Sequence, residues 1–429
     1  MVTAIVHRGD APVVRKVEGL RVCMIVANDM INDPRVARHA ETLGAHGFRV
    51  TVACLRSKRA TRDETRRNYD IVRVSSRIAD LVALAKRRKQ PSPRPASGTA
   101  KIVCSLQERK RIPKGPGRLV VVFAEIALRA LALARVARDN SAHVYCANDL
   151  ETLPATIIAA GFDRKIVYDS HELWPDMLIG VPQFYKRIAC SLERLLIKRA
   201  DTVMTVNELI ANELASRHRI KVPIYIYNCP VQSTGGQSPV HHDRAPKIAL
   251  YQGIYHPERG LENLVVGSEY LLPDVQLVFR GYGPLESELR RLASGMSNVR
   301  FEPPVPMESL VEAAKNADIG LVPYLPTNLN NCLASPNKLF EYIAAGLPLA
   351  VSDVPFMRKL VRENDIGVLF DANDPQSIAR AINQVTRTSE LHRYRKNVLA
   401  ARRKYSWHVE AEKLLRLYAG FRDSFSGQR

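Results

Sequence analysis

Short apolar runs alternate with helix-patterned segments, and this alternation is laid down twice. It constrains the fold more than any other feature of the chain. "LRVCMIVA" (Leu20 to Ala27) has strand length, "RVARHAETLGAHG" has helix periodicity and ends at Gly47, and "FRVTVACL" is a second strand. Continuous apolar runs joined by helices predict a parallel, doubly wound sheet. "AHVYCAND", "KIVYDSHE" and "ADTVMTVN" continue the pattern, and "IYIYNCP" closes the first half. A Gly, Ser and Pro-rich stretch, "VQSTGGQSPVHHDRAP", then reads as a linker. "KIALYQGIY", "VQLVFRGYG", "VRFEPPV", "ADIGLVPY" and "LPLAVSD" begin the pattern again. The expectation is two Rossmann-like domains facing a cleft, with ligands at the C-terminal strand ends. The boundaries follow: residues 18–230, a linker at 231–246, and residues 247–404. A terminal helix over 405–425 is helical in pattern. A length of 429 residues also suits two cores better than one.

The net charge of +20 is uneven. Between Arg56 and Arg118 there are 19 Lys and Arg against five acids, a net +14. This basic insert of the first domain contains "KRRKQPSPRPASGTAK" (Lys86 to Lys101), whose Pro and Ser content predicts irregular structure. Its charge is compatible with an anionic membrane surface, with plain solvation of a basic loop, and with nucleic acid. The first is favoured, because no nucleic-acid-binding motif occurs and aromatic residues are nearly absent from the insert. Glu125, Arg129 and Arg135 interrupt the most apolar stretch, Leu119 to Val136, so it fails as a membrane span. Seven scattered cysteines, none in a C-x-x-C pair, predict neither a disulfide framework nor a zinc site. The charged N-terminal twenty residues do not pattern as a signal peptide. A cytoplasmic protein, peripheral on the inner face of the plasma membrane, is expected.

Several nucleotide signatures are missing: G-x-x-x-x-G-K-[ST], G-x-G-x-x-G after the first strand, and an Asp-x-Asp pair. Against that background five segments occur in a telling order. They are "YDSHELWP", "YQGIYHPERGLENLV", "VFRGYGP", "ASPNKLFEYIAAGLPLAVSD" and "IGVLFDANDPQSIARAI". Together they resemble a retaining GT-B glycosyltransferase of family 4 (glycosyl transferases group 1), over about Leu20 to Leu417. The resemblance implies transfer of a sugar, with retention, from a nucleotide-sugar donor, and a C-terminal helix, 405–425, that packs back on the first domain. A lipid-linked or polysaccharide acceptor at the cytoplasmic membrane face and a place in bacterial cell-surface glycan synthesis are the expected setting. No metal or other cofactor is expected, and no nucleic-acid partner. Two alternatives stand beside it: a sugar-nucleotide epimerase of the same architecture, and a non-catalytic nucleotide-binding assembly partner.

The stretch "SPNKLFEYIAAG" can be argued from its own chemistry. Ser335 is a suitable N-cap with Pro336 at the first helical position, and Gly346 suits the stop. Leu339, Phe340 and Ile343 form a buried stripe, leaving Asn337, Lys338 and Glu341 on the other face. A helix start and Lys338 favour a phosphate, and Glu341 can accept two hydrogen bonds from a ribose diol. The residues alone favour a solvated Glu341–Lys338 pair. The resemblance favours ribose binding, because the family places a ribose-binding Glu there. The family's other Glu would fall at Leu333, with Asn330 and Asn331 as nearby substitutes. Where members carry an Arg and then a Lys after the first strand's glycine, this chain has Ile254 and Arg259. Arg259 is expected to stabilise the leaving diphosphate, with Lys338 and Arg280 as sources of the second cation. Gly253, Gly281 and Gly283 are placed in the donor site with Arg280, Asn337 and Glu341.

In the first half, "YDSHELWP" puts His171 and Glu172 just after a strand, and "CANDLETLP" puts Asn148 and Asp149 after the preceding one. His171, Arg259 and Lys338 are the catalytic candidates, and Asn148, Asp149 and Glu172 are the acceptor-side ones. Asp149 could equally cap a helix. Asp33 and Arg35 are candidates for a loop under the donor, and Asn228 matches the Asn that family members carry at the end of the first domain.

Overall fold

A computed structural model describes residues 19–57, 60–75, 116–177, 181–232 and 246–426. Side chains are described from Glu125 in the helix Pro116–Asp139 and up to Arg422 in the last helix. The first half builds an eight-stranded sheet in the order β3-β4-β2-β1-β5-β6-β7-β8. Its strands are β1 (Arg21–Ile25), β2 (Arg49–Leu55), β3 (Asp63–Thr65), β4 (Tyr69–Val74), β5 (Val144–Asn148), β6 (Lys165–Ser170), β7 (Thr202–Thr205) and β8 (Ile224–Tyr225). All pairs are parallel except β3 with β4. The second half builds a six-stranded parallel sheet in the order β11-β10-β9-β12-β13-β14. Its strands are β9 (Lys247–Ile254), β10 (Val275–Tyr282), β11 (Val299–Glu302), β12 (Ile319–Val322), β13 (Leu349–Ser352) and β14 (Gly367–Phe370).

The central strands are apolar throughout because helices cover both faces of each sheet. Val22, Met24, Val50, Val52 and Val144 form one core layer of the first sheet, while Cys23, Ile25, Tyr145, Ala147 and Tyr168 form the other. This is the two-residue period of a strand read as two cores. The second sheet divides in the same way, with Leu250 and Val278 on one side and Ala249, Leu277 and Phe279 on the other.

The last helix, Trp407–Ser426, packs Trp407, Leu414, Leu415, Tyr418 and Phe421 into the first domain's core, not the second's. The Trp407 indole N–H donates to Thr42 Oγ1 at 2.8 Å, and its ring stacks on His39. Buried Glu410 accepts from the Tyr227 amide at 2.9 Å. The chain thus crosses between domains twice, and the second crossing is held by buried polar contacts as well as area.

The basic segment differs in part from expectation. Its residues 63–74 are not insert but β3 and β4, which extend the sheet edge and tie Arg73 and Arg66 to Glu64. The Lys86 to Lys101 run lies outside the described residues. So does most of the linker. Among the described residues, no helix is long and apolar enough to cross a membrane, no disulfide forms, and no cluster of three His, Cys, Asp or Glu is spaced to hold a metal.

Candidate functional site

Each sheet reverses its strand order once, and the candidate residues gather at those two places. In the second sheet the reversal lies between β9 and β12. Neighbouring connections leave in opposite directions there and open a crevice. The loop after β9 carries Arg259 and the end of β12 leads to Tyr324. The Arg259 guanidinium lies 3.8 Å from the centre of the Tyr324 ring. One strand across, Lys338 Nζ lies 3.8 Å from the centre of the Tyr251 ring. A Cβ on Gly253 would come within 3.2 Å of that ammonium, so the glycine clears the space beside it. Arg259 Nη1 is buried with no hydrogen-bond partner. No carboxylate of the described residues forms an ion pair with either cation. Burial, then the neighbouring Arg259, pushes Lys338 well below the ordinary lysine pKa, and Glu341 pulls only partly against this.

Two positive groups held together on aromatic faces are an unfavourable arrangement that an anion relieves. The helix behind them explains how they are held. Leu339, Phe340, Tyr342 and Ile343 are fully buried, and the Tyr342 hydroxyl accepts from the Gln252 amide at 2.7 Å. Gly346 takes φ 79° and ends the helix, with Leu347 N donating to Tyr342 O. The start differs from expectation. The helix is Asn337–Ala345 with Pro336 at the cap, and Ser335 Oγ accepts from Asn207 Nδ2 at 3.0 Å instead of capping. The other domain has taken the serine.

Glu341 lies one turn into this helix. Burial raises its pKa, against the pull of Lys338, of Arg38 from the first domain, and of a Gln252 side-chain hydrogen bond. It is half-buried beside Lys338 rather than fully solvated. Arg38 shows the reciprocal effect: burial and Arg35 lower it to about 10, while Cys229, Glu341 and Asp33 oppose them. Sequence reasoning did not single out Arg38. Its signal was the spacing of Arg35, Arg38 and His39 at i, i+3 and i+4, which puts all three on one helix face.

Four expected donor residues are engaged within the protein. Arg280 is 9% exposed on β10, donates to Glu302 Oε2 at 2.8 and 3.0 Å, and reaches Gln252 Oε1 at 3.2 Å. It supplies no free cation. A Cβ on Gly281 would lie 1.9 Å from the Gly253 carbonyl oxygen, and one on Gly283 2.6 Å from the Tyr255 backbone. These glycines let the ends of β9 and β10 close on each other, and so shape the loop that carries Arg259. Asn337 Oδ1 accepts from Asn228 Nδ2 at 2.6 Å, and Arg38 donates to Asn228, so this pair joins the domains.

In the first sheet the reversal lies between β1 and β5. Asn148 Nδ2 spans it to Ile25 O at 3.1 Å, and Asn148 Oδ1 is buried with no partner. Asp149 adopts φ 66°, and its Oδ1 accepts from the His171 amide at 2.8 Å, so it fixes the loop rather than capping a helix by side chain. The His171 ring lies 3.4 Å from Asp149 and 3.2 Å from Asp169. Burial disfavours charge on His171, but the two carboxylates outweigh it and raise its pKa to about 9. Asp169 in turn takes a two-point contact from Arg35 at 2.8 and 2.9 Å. Arg35 also donates to the Ile226 and Thr205 carbonyls. Arg35 is therefore bound within the first domain, not under a donor, and Asp33 caps its helix by accepting from Val36 N.

The two sites face each other across a pinned contact. Leu173 N donates to Asn330 Oδ1 at 2.8 Å, and Asn207 Nδ2 donates to Leu333 O at 2.9 Å. The Leu333 side chain packs on Leu173, Val206, Ile210 and Leu214 of the first domain. The position where the family carries an acid is here an apolar peg between domains. Of the nearby asparagines, Asn330 Oδ1 is taken by the Leu173 amide and Asn331 Nδ2 donates to Thr327 Oγ1. Burial raises the Tyr324 pKa, Arg259 opposes this and Glu172 adds to it, so Glu172 lies within electrostatic reach of the Arg259 stack.

Comparison with known proteins agrees with this layout. Residues 33–224 match the model of the glycosyl transferase 4-like domain, and residues 246–388 match that of glycosyl transferases group 1. A phosphatidyl-myo-inositol mannosyltransferase of Mycobacterium leprae is 30% identical over 183 residues, 41% of this chain and 47% of that protein. A D-inositol 3-phosphate glycosyltransferase of Thermomonospora curvata is 32% identical over 29% of this chain and 28% of its own length. The chain thus spans about half the length, or less, of these relatives. Among solved structures, sucrose-phosphate synthase from Thermosynechococcus elongatus superposes with a TM-score of 0.66 at 17% identity, covering 95% of this chain and all of that one. Anabaena HepE in complex with UDP and glucose gives 0.61 at 13% identity, covering 94% of this chain and all of that one. The fold is GT-B.

Proposed function

We propose that this chain, both halves of which are glycosyltransferase domains, transfers a sugar from a nucleotide-sugar donor to a lipid-linked or polysaccharide acceptor, with retention, in bacterial glycan synthesis. The observation that carries the reading is the pair of cations without carboxylate partners, Arg259 and Lys338, at the reversal of the second sheet. A nucleoside diphosphate supplies the anion that this pair favours. Glu341, one turn along, accepts from the ribose hydroxyls. Cleavage of the glycosidic bond leaves extra negative charge on the diphosphate, and fixed cations at that place stabilise the charge as it forms.

His171 is protonated at neutral pH, since its pKa lies near 9. Both ring nitrogens face carboxylates, Nδ1 toward Asp149 and Nε2 toward Asp169, so it serves as a fixed positive charge on the acceptor side rather than as a base. The acceptor proton then passes to the departing phosphate on the same face of the sugar, which gives retention. The pinned loop around Asn330 and Leu173 limits water near the reacting carbon.

The test is to incubate the protein with labelled nucleotide sugars, with and without acceptor, and to assign the anomeric configuration of the product by NMR. Acceptor-dependent transfer with retention is the expected result. Inversion would remove the same-face mechanism, and conversion of the donor without acceptor would point to an isomerase.

A further inference from the structure

The helix Gln183–Leu196 turns an apolar stripe away from the protein. Phe184, Ile188, Leu192 and Leu195 are 66%, 40%, 44% and 68% exposed. At about 100° per residue they fall within an arc of about 80°. Exposed apolar residues scattered singly are ordinary, but four in one stripe along a whole helix are not. Arg187 and Arg194 flank the stripe, and Lys198 and Arg199 follow in the next turn, all exposed. Glu193 is the only acid between Val181 and Ala200. It points inward, where it accepts from the Tyr168 hydroxyl at 2.8 Å and faces His218 at 3.2 Å. The exposed face of this helix is thus apolar and basic, with no acid of its own. Phe162 extends it: 90% exposed, it stacks under Arg199, which also donates to Gly161 O at 3.0 Å.

We propose that this helix docks the protein on an anionic lipid bilayer. The four apolar side chains and Phe162 enter the interfacial layer, and Arg187, Arg194, Lys198 and Arg199 meet the headgroups. Charge complementarity selects this occupant. A second copy placed face to face would set four cations against four. The chain's own basic stretch, Lys86 to Lys101, carries the same sign and is repelled from this face, whereas both are attracted to an anionic surface. Geometry links the surface to the site. The helix follows β6 in the chain and packs on the turn Trp174–Met177 just beyond the C-terminal end of that strand, the end that carries His171. A docked enzyme presents its acceptor side to the bilayer. That consequence rests on the lipid-linked acceptor proposed above, whereas docking itself is measured without any transfer.

The experiment sediments the whole chain with vesicles of phosphatidylcholine alone or mixed with phosphatidylglycerol, at low and high salt. The wild type is expected to bind the anionic vesicles and to be released by salt. Phe184→Glu with Leu195→Glu is expected to lower the bound fraction about tenfold or more, and Arg187→Glu with Arg194→Glu to weaken binding mainly at low salt. Both variants are checked for an unchanged melting temperature and unchanged nucleoside diphosphate binding, which separates loss of docking from failure of the donor site. Either variant bound as tightly as the wild type would overturn the proposal. So would a wild-type dimer that the glutamates split, or a glutamate variant whose 76–115 segment becomes newly open to protease while vesicle binding is unchanged.

Discussion

The two domains treat the cations of their candidate sites in opposite ways. In the first, Arg35 and His171 are enclosed by Asp169 and Asp149, at distances of 2.8 to 3.4 Å. In the second, Arg259 and Lys338 rest on tyrosine rings with no carboxylate in ion-pair range among the described residues. A closed network is self-sufficient and fixes a geometry. A cation on a ring is desolvated but not neutralised, and so remains available to an anion from outside. On the proposed reading, the first domain positions the acceptor side and the second stabilises the charge of the leaving group.

The largest expected break in this contrast comes from the second domain's cations. Lys338→Ala or Arg259→Ala should lower transfer about 10²–10³-fold while the fold persists. Steady-state kinetics beside a thermal melt check this, and a loss of melting temperature matching the loss of rate would count against it. Next comes Glu341→Ala, which should weaken nucleotide binding about 10-fold or more. In that variant a nucleotide lacking ribose hydroxyls should bind as well as the intact one. If the variant still prefers the intact ribose, Glu341 does not hold the diol.

The first domain should respond to pH instead. His171 has its pKa raised to about 9 in the fold, above the ordinary 6.5. Its charge therefore stabilises the fold fully below about pH 6.5, and that contribution is lost as pH rises through about 9. The difference in melting temperature between wild type and His171→Gln should accordingly be large at low pH and shrink toward alkaline pH. A pH-independent difference would mean that His171 is not held as a cation. The smallest expected effect on binding is that of Arg280→Met with Glu302→Met. It should change the melting temperature and leave nucleoside diphosphate affinity within about twofold, because that ion pair is internal to the sheet.

The fold was largely legible because buried parallel strands are short continuous apolar runs that need no partner information to recognise. Where the reading missed, other signals were stronger. β3 and β4 lie inside a stretch whose basic charge pointed to an insert, although "YDIVRV" alternates as an edge strand does. Ser335 reads locally as a cap, but Asn207, 128 residues away, claims its hydroxyl. Arg280 looks like a free cation in "VFRGYGP", and only the neighbouring strand reveals Glu302 beside it. The glycines after it look like ligand glycines, yet their nearest neighbours are the backbone of Gly253 and Tyr255. At Leu333 the missing acid was visible, but its use as an interdomain peg depends on four residues from another domain. The family resemblance, rather than local chemistry, drew attention to Arg259, Lys338, Glu341 and His171. Which of them are free and which are paired is a property of tertiary contact.

Calorimetric titration with UDP, GDP and ADP, and with their nucleosides, tests the central claim most directly. One diphosphate should bind wild type about 100-fold or more tighter than its nucleoside, and Arg259→Ala with Lys338→Ala should reduce it to the nucleoside's level. A wild type that binds none of the diphosphates, or a double variant that binds as the wild type does, would contradict it.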